Sequence, residues 1–256
     1  MLKEDVKEIW EQNAGVYDER TKKQLSNEMG TKEGWAELIL SFAPQEGSLD
    51  ILDCGTGAGF FPVALGERGH RVTGIDLSEN MIAAAKENVA AAGVKAELLV
   101  MDSQETLFGD ESFDMVISRS LTWTLMDPPK AYREWKRLLK PGGRLVITDG
   151  NFYLHNHDET QKQRFQELND RMIRERGVGI HKYNNGKDCF REIGKDLFMS
   201  SRRRPLWDLG CLMELGFSQV FAVPDIRGHI PGAWPEDELD RAVSDLMPMF
   251  LVGAQK

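Results

Sequence analysis

The sequence predicts an α/β protein built on a parallel β-sheet. Three observations support this class: apolar runs of strand length alternate with helical patterns, the first run ends in a glycine-rich turn, and later runs end in polar residues. This alternation favours right-handed crossover connections. Open sheets of this kind bind ligands beyond the carboxyl ends of their strands, so we expect a site at that edge.

The first half of the chain contains the clearest elements. In order, they are helices from Lys3 to Gln24 and from Lys32 to Phe42, the strand LDILDC, a helix from Ala58 to Arg68, the strand RVTGID and a helix from Glu79 to Ala92. Ser78 is placed to cap the start of the last of these helices, and Gly93 to end it. The boundaries therefore agree with the apolar periodicity.

The second half continues the pattern after an interruption. In order, it holds the strands KAELLVM and FDMVISRS, a helix from Pro128 to Leu139, a Pro141-Gly142-Gly143 turn, the strand RLVITD, a helix from Leu206 to Leu215, the strand FSQVFAV, a variable stretch containing PEDELDRAV, and the strand MFLVGAQ. Residues 151–204 break the rhythm. We expect one domain over residues 1–256, with a helical lid at residues 1–42 and an inserted substrate cap at residues 151–204.

Composition limits the function classes. The chain of 256 residues has 32 basic and 41 acidic residues, a net charge of −9, and a pI near 5.2. Such a charge repels polyanions, so we expect no nucleic-acid partner. No signal peptide or membrane span is evident, and three widely spaced cysteines suit a reducing cytoplasm. We expect no membrane partner and no metal; the oligomeric state stays open.

The strongest local signal is the segment DCGTGAG, in which a strand runs into a glycine turn that opens a helix. Glycines allow a tight turn and close approach of a ligand, and the helix N-terminus offers unpaired N–H groups. Dinucleotide-binding enzymes use a similar turn. Here Phe60 breaks the usual glycine spacing, and Asp53 precedes the turn. Its carboxylate would repel a pyrophosphate but attract the ammonium group of a methionine moiety.

Two more carboxylates follow the next two strands. Asp76 lies about 20 residues beyond the turn, where a carboxylate can accept from both ribose hydroxyls of either kind of cofactor. Asp102 ends the third strand and could accept from the exocyclic amine of adenine. Each acid alone could be a helix cap or a turn residue. Together, in this order, Asp53, Asp76 and Asp102 predict a nucleoside cofactor with an amino-acid end.

The segments LDCGTGAG, GIDLSENMIAAAKENV, MDSQETLFGDESFDMVISR and LKPGGRLVI resemble the successive motifs of class I S-adenosylmethionine (SAM)-dependent methyltransferases, in the type-11-like group. The resemblance covers roughly Trp35 to Asp149, and MFLVGAQK is similar to the family's last strand. It implies a Rossmann-like, seven-stranded, mostly parallel sheet of order 3-2-1-4-5-7-6, with the last strand antiparallel. It also implies SAM as methyl donor and S-adenosylhomocysteine as product.

By the same resemblance, Asp76 is expected to bind the ribose, Asp102 the adenine amine, and Asp53 with Gly55 and Gly57 the methionine end. Trp10 and Tyr17 are expected in a lid over the cofactor. The full donor site expected from the resemblance comprises Tyr17, Asp53, Gly55, Thr56, Gly57, Asp76, Leu77, Met81, Asp102, Ser103, Gln104 and Ser118.

The acceptor site is expected after the fourth and fifth strands. In-line methyl transfer requires alignment of the acceptor and exclusion of water, and a general base is needed when the acceptor loses a proton. Candidates to line the site are Ser118, Arg119, Trp123, Tyr153, His155, His157, His181 and Tyr183. For catalysis we select Tyr153, His155 and His181. The expected partner is a small-molecule methyl acceptor.

Two other motifs have plainer explanations. Asp127-Pro128-Pro129-Lys130 is similar to a signature of amide and adenine N-methyltransferases, but it lies away from the strand end, and Asp127 as N-cap with Pro128 at the first helical position accounts for it. The run Arg202-Arg203-Arg204 could bind an anionic acceptor, although a solvated basic face is favoured. Two other functions stay open at this stage: a nicotinamide-dependent oxidoreductase, and a SAM-binding regulator without turnover.

Overall fold

The computed structural model describes residues 2–26, 30–180, 190, 192–232 and 235–256. The strands are β1 (Asp50–Cys54), β2 (Arg71–Asp76), β3 (Ala96–Val100), β4 (Phe113–Arg119), β5 (Leu139–Gly150), β6 (Ser218–Val223) and β7 (Met249–Gln255). The helices are α1 (Leu2–Leu25), α2 (Thr31–Leu40), α3 (Phe60–Gly66), α4 (Glu79–Ala91), α5 (Pro128–Leu138), α6 (Glu159–Arg176), α7 (Leu206–Glu214) and α8 (Glu238–Leu246).

The strands form one seven-stranded sheet of order β3-β2-β1-β4-β5-β7-β6, so the predicted fold and order are confirmed. Neighbours from β3 to β5 are parallel, and β7 is antiparallel to both β5 and β6. The order reverses direction between β1 and β4, which is the topological switch point of the sheet. Among the described residues, no helix combines the length and apolarity needed to cross a membrane.

Helices cover both faces of the sheet because side chains of the inner strands alternate between them. Ile51 packs with Trp35 and Phe61 under α2 and α3, whereas its neighbour Leu52 packs with Trp135 under α5 and α7. Trp135 is fully buried, and burial of a large apolar side chain stabilises the fold by roughly 1.5–3 kcal/mol. These two cores hold the strand ends in register.

The predicted helices are confirmed with small shifts at their ends, and two elements differ from the prediction. β5 begins at Leu139, before the Pro-Gly-Gly turn, and a register irregularity against β4 accommodates Gly142 at φ +78°. The stretch containing PEDELDRAV, for which the sequence predicts no regular element, contains α8, which Asp237 caps by accepting from the N–H groups of Leu239 and Asp240.

The inserted segment returns to the sheet through a fully buried ionic cluster. Arg204 Nη1 lies 2.9 Å from Asp149 Oδ2 at the end of β5, and Arg204 Nη2 lies 2.9 Å from Asp208 Oδ1 on α7. Tyr132 donates its hydroxyl to Asp208, and Thr122 donates to Asp149. The sequence prediction of a solvated basic face was therefore wrong for Arg204, whose charge is compensated inside the protein.

Candidate active site

A cavity of about 650 Å³ opens at the carboxyl edge of the sheet, over the switch point. Its volume falls in the range of roughly 300–1,000 Å³ that is typical of small-molecule sites. Parallel strands place their ends side by side here: Asp53 pairs with Gly74, Cys54 pairs with Ser118, and Asp76 pairs with Val100. The predicted location of the site thus agrees with the position of the cavity.

The glycine turn between β1 and α3 forms one wall of the cavity. Asp53, 2% exposed, accepts a 2.7 Å hydrogen bond from the Thr56 hydroxyl. Asp76 accepts from the backbone N–H groups of Gly57, at 3.0 Å, and Ser78, at 2.9 Å. Gly57 has φ +53°, and a Cβ placed on it would meet no atom within 4 Å. The turn is therefore a cradle open to a ligand.

Burial perturbs both carboxyl groups of this wall. It raises the pKa of Asp53 to about 7, against hydrogen bonding from Thr56 and the attraction of Arg119. It also raises the pKa of Asp76, although the N–H groups of Ser78 and Gly57 oppose the shift. A cationic or hydroxyl-bearing ligand would favour the ionised form of both acids.

The far end of the cavity lies beyond β3. Asp102 accepts from the backbone N–H of Gln104 at 2.9 Å and pairs with Lys3 at 2.6 Å. Burial works to raise the pKa of Asp102, but the bonds from Lys3 and Gln104 outweigh it and hold the pKa below its usual value. The Gln104 side chain accepts from the backbone of Asp127, so it anchors the start of α5 as well.

Helix α1 closes the cavity from above. Glu11 accepts from the backbone N–H groups of Glu79, at 2.7 Å, and Asn80, at 3.0 Å, so a carboxylate from α1 caps the N-terminus of α4. Lower on the same helix, Asp18 accepts from the Asn88 side chain at 2.8 Å. These contacts hold α1 along α4; that residues 1–42 act as a lid stays a prediction.

An aromatic cluster lines the cavity on the side of β5 and the inserted segment. Trp123 lies at its centre, with ring centroids 4.7 Å from Phe190, 5.7 Å from Tyr153 and 6.2 Å from Trp10. Asp149 positions this ring, because its carboxylate accepts from the Trp123 backbone N–H at 2.9 Å. We call Trp10, Trp123, Phe152, Tyr153 and Phe190 the aromatic cluster.

The residues predicted for the donor site come together with one exception. The cavity is lined by Tyr17, Asp53, Gly55, Thr56, Gly57, Asp76, Leu77, Met81, Asp102, Ser103 and Gln104. Ser118 lies beneath the lining at 1% exposure, and its hydroxyl is buried without a hydrogen-bond partner among the described residues.

The candidates predicted for catalysis do not all reach the cavity. Tyr153 lines it. His155 instead stacks on Phe165, with ring centroids 4.0 Å apart, and lines a separate smaller cavity. His157 bonds to the Lys195 carbonyl at 2.7 Å. Within the described ranges, no histidine lines the main cavity. His181, Tyr183 and one of the three cysteines, Cys189, lie outside the described residues.

Other lining residues were missed by sequence reasoning. Asp240, Val243, Ser244 and Met247 belong to α8 and the residue after it, and they close the cavity near β7. The cap residue Asp237 before an apolar i, i+4 pattern was a usable signal for this helix. The role of Lys3 had no local signal, because its partner lies 99 residues away.

Asp127 and the arginine run at Arg202 and Arg203 make local contacts. Asp127 caps α5 by accepting from the Lys130 N–H at 3.0 Å, with proline at the start of the helix, as expected for a structural motif. Arg203 pairs with Asp158, and the Arg202 guanidinium lies over the Phe198 ring at 3.7 Å. In the described part of the chain, no group of histidine, cysteine and acidic side chains could hold a metal ion.

Comparison with known proteins places this site in a family. Residues 52–147 match the family model of a methyltransferase domain. Phosphoethanolamine N-methyltransferase 1 from Arabidopsis thaliana is 31% identical over 226 residues, which cover 85% of this chain and 43% of the relative. The chain thus spans less than half the length of that relative.

Two solved structures share the fold. Phosphoethanolamine N-methyltransferase 2 from Haemonchus contortus, in complex with phosphomonomethylethanolamine and S-adenosylhomocysteine, superposes with a TM-score of 0.59 at 20% identity, covering 88% of this chain and 52% of that one. A SAM-dependent methyltransferase from Aquifex aeolicus gives 0.56 at 20% identity, covering 93% and 97%. The family match and the sheet order lead to one conclusion: residues 52–147 match a methyltransferase domain, and they lie in a sheet with the strand order expected for class I methyltransferases.

Proposed function

We propose that this protein transfers the methyl group of SAM to a small-molecule acceptor bound in the same cavity. The observation that carries the proposal is the division of the cavity into two halves. One half is lined by the glycine turn and the three strand-end carboxylates, and the other by the aromatic cluster. Donor and acceptor sites that meet in one cavity fulfil the geometric requirement of direct transfer.

The donor half has the polar groups that a nucleoside with an amino-acid end requires. Asp76 retains lone pairs toward the cavity for two ribose hydroxyls while its other contacts fix the turn. Asp102 is held at the far end, where it can accept from an exocyclic amine. Gly57 leaves open space above the turn, which a side chain would fill. These residues fit SAM, which supplies an electrophilic methyl group when bound.

The acceptor half excludes water by apolar burial and positions the acceptor. The carboxylate of Asp149 accepts a hydrogen bond from the backbone N–H of Trp123, and the rings of Phe190 and Tyr153 pack against the Trp123 ring. Rings fixed in this way can align a substrate without losing much side-chain entropy. Aromatic faces also attract cations, including amines that gain methyl groups. We infer that the acceptor is a small molecule that binds against the aromatic cluster.

Tyr153 is our candidate for contact with the reacting atom of the acceptor. Its side chain is 8% exposed, lines the cavity, and stacks on Trp123 with an interplanar angle of 23°. A phenol at this position can orient an acceptor oxygen or nitrogen, or take part in proton removal. His155, the other described candidate, faces a different cavity and has no place in this proposal.

The donor half can be tested by isothermal titration of the protein with S-adenosylhomocysteine. We expect binding by the wild type, and a loss of roughly tenfold to a hundredfold for Asp76→Asn, because hydrogen bonds to charged groups contribute about 1.5–3 kcal/mol each. Asp110→Asn is a matched control, since Asp110 is exposed and pairs with Arg137. A wild type that fails to bind S-adenosylhomocysteine would refute the proposal.

The acceptor half requires a turnover assay with methyl-labelled SAM. Phosphoethanolamine and phosphomonomethylethanolamine, named with the relatives, are the first probes, followed by a pool of small metabolites read by mass spectrometry. Once an acceptor is found, Tyr153→Phe should lower kcat while the affinity for S-adenosylhomocysteine stays unchanged. Label that appears only in protein or nucleic acid would exclude a small-molecule acceptor.

A further inference from the structure

Arg119 is a partly buried cation whose partners do not neutralise it. Its guanidinium lies over three rings, at 4.2 Å from the centroid of Phe60, 5.0 Å from Trp35 and 5.2 Å from Phe61. It donates a 3.3 Å hydrogen bond to the Gln24 side chain. Among the described residues, no carboxylate comes within the 4 Å of an ion pair with it. Burial lowers its pKa to about 10, so it stays charged at neutral pH.

This cation faces the cavity beside the carboxylate of Asp53. The two residues lie on adjacent strands, with Cys54 paired to Ser118 one step before Arg119. Arg119 and Asp53 attract each other but remain too far apart for an ion pair. The wall of the cavity therefore presents a negative group and a positive group side by side. An α-amino acid carries the complementary pair, an ammonium and a carboxylate on one carbon atom.

A second guanidinium points to the same location. Arg20, on α1, also lines the cavity, and its charge acts on Arg119 to lower the pKa further. Two cations that repel each other across a cavity are stabilised by an anion between them. A guanidinium has five N–H donors, and Arg119 uses one on Gln24, which leaves donors for a bidentate bond to a carboxylate.

We propose that Arg119, assisted by Arg20, binds the carboxylate of the methionine end of the donor, while Asp53 faces the ammonium group. This inference rests on the proposed function, because it requires SAM in the cavity. The aromatic rings hold the guanidinium in place before the donor arrives, so little side-chain freedom is lost on binding. The consequence is specificity: the site should discriminate against adenosyl sulfur compounds that lack the carboxylate.

The probes are S-adenosylhomocysteine, its decarboxylated analogue S-adenosyl-3-thiopropylamine, and methylthioadenosine, which lacks both charged groups. We expect the wild type to bind S-adenosylhomocysteine at least tenfold more tightly than the decarboxylated analogue, since the analogue leaves the guanidinium without an anion. Isothermal titration measures all three affinities directly and needs no acceptor.

Variants of Arg119 and Arg20 then identify the group that binds the carboxylate. In Arg119→Met, the apolar side chain suits the surrounding rings. The affinity of this variant for S-adenosylhomocysteine should fall at least tenfold, while its affinity for the decarboxylated analogue stays unchanged. The preference for the ligand with a carboxylate therefore disappears. Arg20→Gln should reduce the preference in part. Lys23→Gln, an exposed change on the same helix, should leave it intact. Circular dichroism of each variant checks folding.

The outcomes separate this inference from the proposed function. Wild-type protein that binds S-adenosylhomocysteine without preference over the decarboxylated analogue overturns the inference and leaves the methyltransferase proposal standing. The same holds if Arg119→Met keeps the wild-type preference, or if it impairs only acceptor turnover, which would assign the guanidinium to the acceptor. Wild-type protein that binds none of the three probes refutes the proposed function itself.

Discussion

Lys3 Nζ lies 2.6 Å from Asp102 Oδ2, which joins the first turn of α1 to the end of β3. The Lys3 side chain is 45% exposed, so the pair contributes little to overall stability. Its position matters more than its strength, because Asp102 lies at the far end of the cavity and α1 covers it. We predict that α1 moves away from the cavity when the ligand leaves, and such a movement has to break this contact.

We expect Lys3→Glu to speed the release of S-adenosylhomocysteine about fivefold. The substitution places two like charges near each other, and two charges about 4 Å apart in water interact by about 1 kcal/mol. Stopped-flow fluorescence of Trp10, which lies on α1 and lines the cavity, follows the release. Lys23→Glu makes the same charge change on an exposed part of the helix and should not alter the rate. Equal effects of the two variants would indicate a general charge effect.

Gly57 and Gly93 allow a matched test of the glycine turn. Both have positive φ, +53° and +68°, and a Cβ on either would meet no protein atom within 4 Å. Alanine at each position should thus lower the free energy of unfolding by a similar amount, about 1–2 kcal/mol. Only Gly57→Ala should weaken binding of S-adenosylhomocysteine by tenfold or more, because only Gly57 lines the cavity. If the two variants bind S-adenosylhomocysteine with similar affinity, the turn does not contact the donor.

Asp53 should make donor binding depend on pH. Its pKa rises from 3.8 to about 7 on folding, so in the free protein the carboxyl is mostly protonated below neutral pH, with Arg119 and Asp76 as the charged groups facing it. An ammonium group favours the ionised form. Affinity for S-adenosylhomocysteine should therefore rise from about pH 6 to about pH 7.5, by at most tenfold per pH unit.

The contribution of Asp53 to the free energy of unfolding changes with pH in the opposite direction. The native state holds the Asp53 proton more tightly than the unfolded chain, so this group's contribution to the free energy of unfolding declines as the pH rises from about 4 to about 7. Asp53→Asn should remove the contribution of this group to the pH dependence of both quantities. Titration calorimetry in buffers of different ionisation enthalpy should detect proton release on binding near pH 7; its absence would show that Asp53 does not ionise in the complex.

Arg204 and Arg203 are neighbours with very different surroundings. Arg204→Met leaves the buried carboxylates of Asp149 and Asp208 without their cation, and we expect the free energy of unfolding to fall by about 3–5 kcal/mol. Arg203→Met removes an exposed pair with Asp158 and should leave stability nearly unchanged. Urea denaturation compares the two. A small effect for Arg204→Met would show that the buried cluster does not depend on its cation.

The sequence was informative wherever a structural requirement was local. The alternation of strand and helix patterns predicted the parallel sheet, and the family resemblance implied its order. The glycine turn, the Ser78 cap and the strand-end acids are read from neighbouring residues, and the turn and the acids line the cavity. Arg204 was misread because three successive arginines look alike in sequence, while burial of the third depends on Asp149, 55 residues earlier. His155 was selected by residue type alone, whereas its stacking on Phe165 depends on the folded structure and has no signal in the sequence.

The buried cluster also describes how the inserted segment is attached. The chain leaves the sheet at Asp149 and comes back at Arg204, and the contact between these two residues joins the segment at its base. A loop whose ends are fixed can grow or shrink with only a slow change in closure entropy. The length of this segment can thus change, and with it the aromatic side of the cavity, without disturbing the sheet. A segment of different length would have to keep the arginine at the point of return.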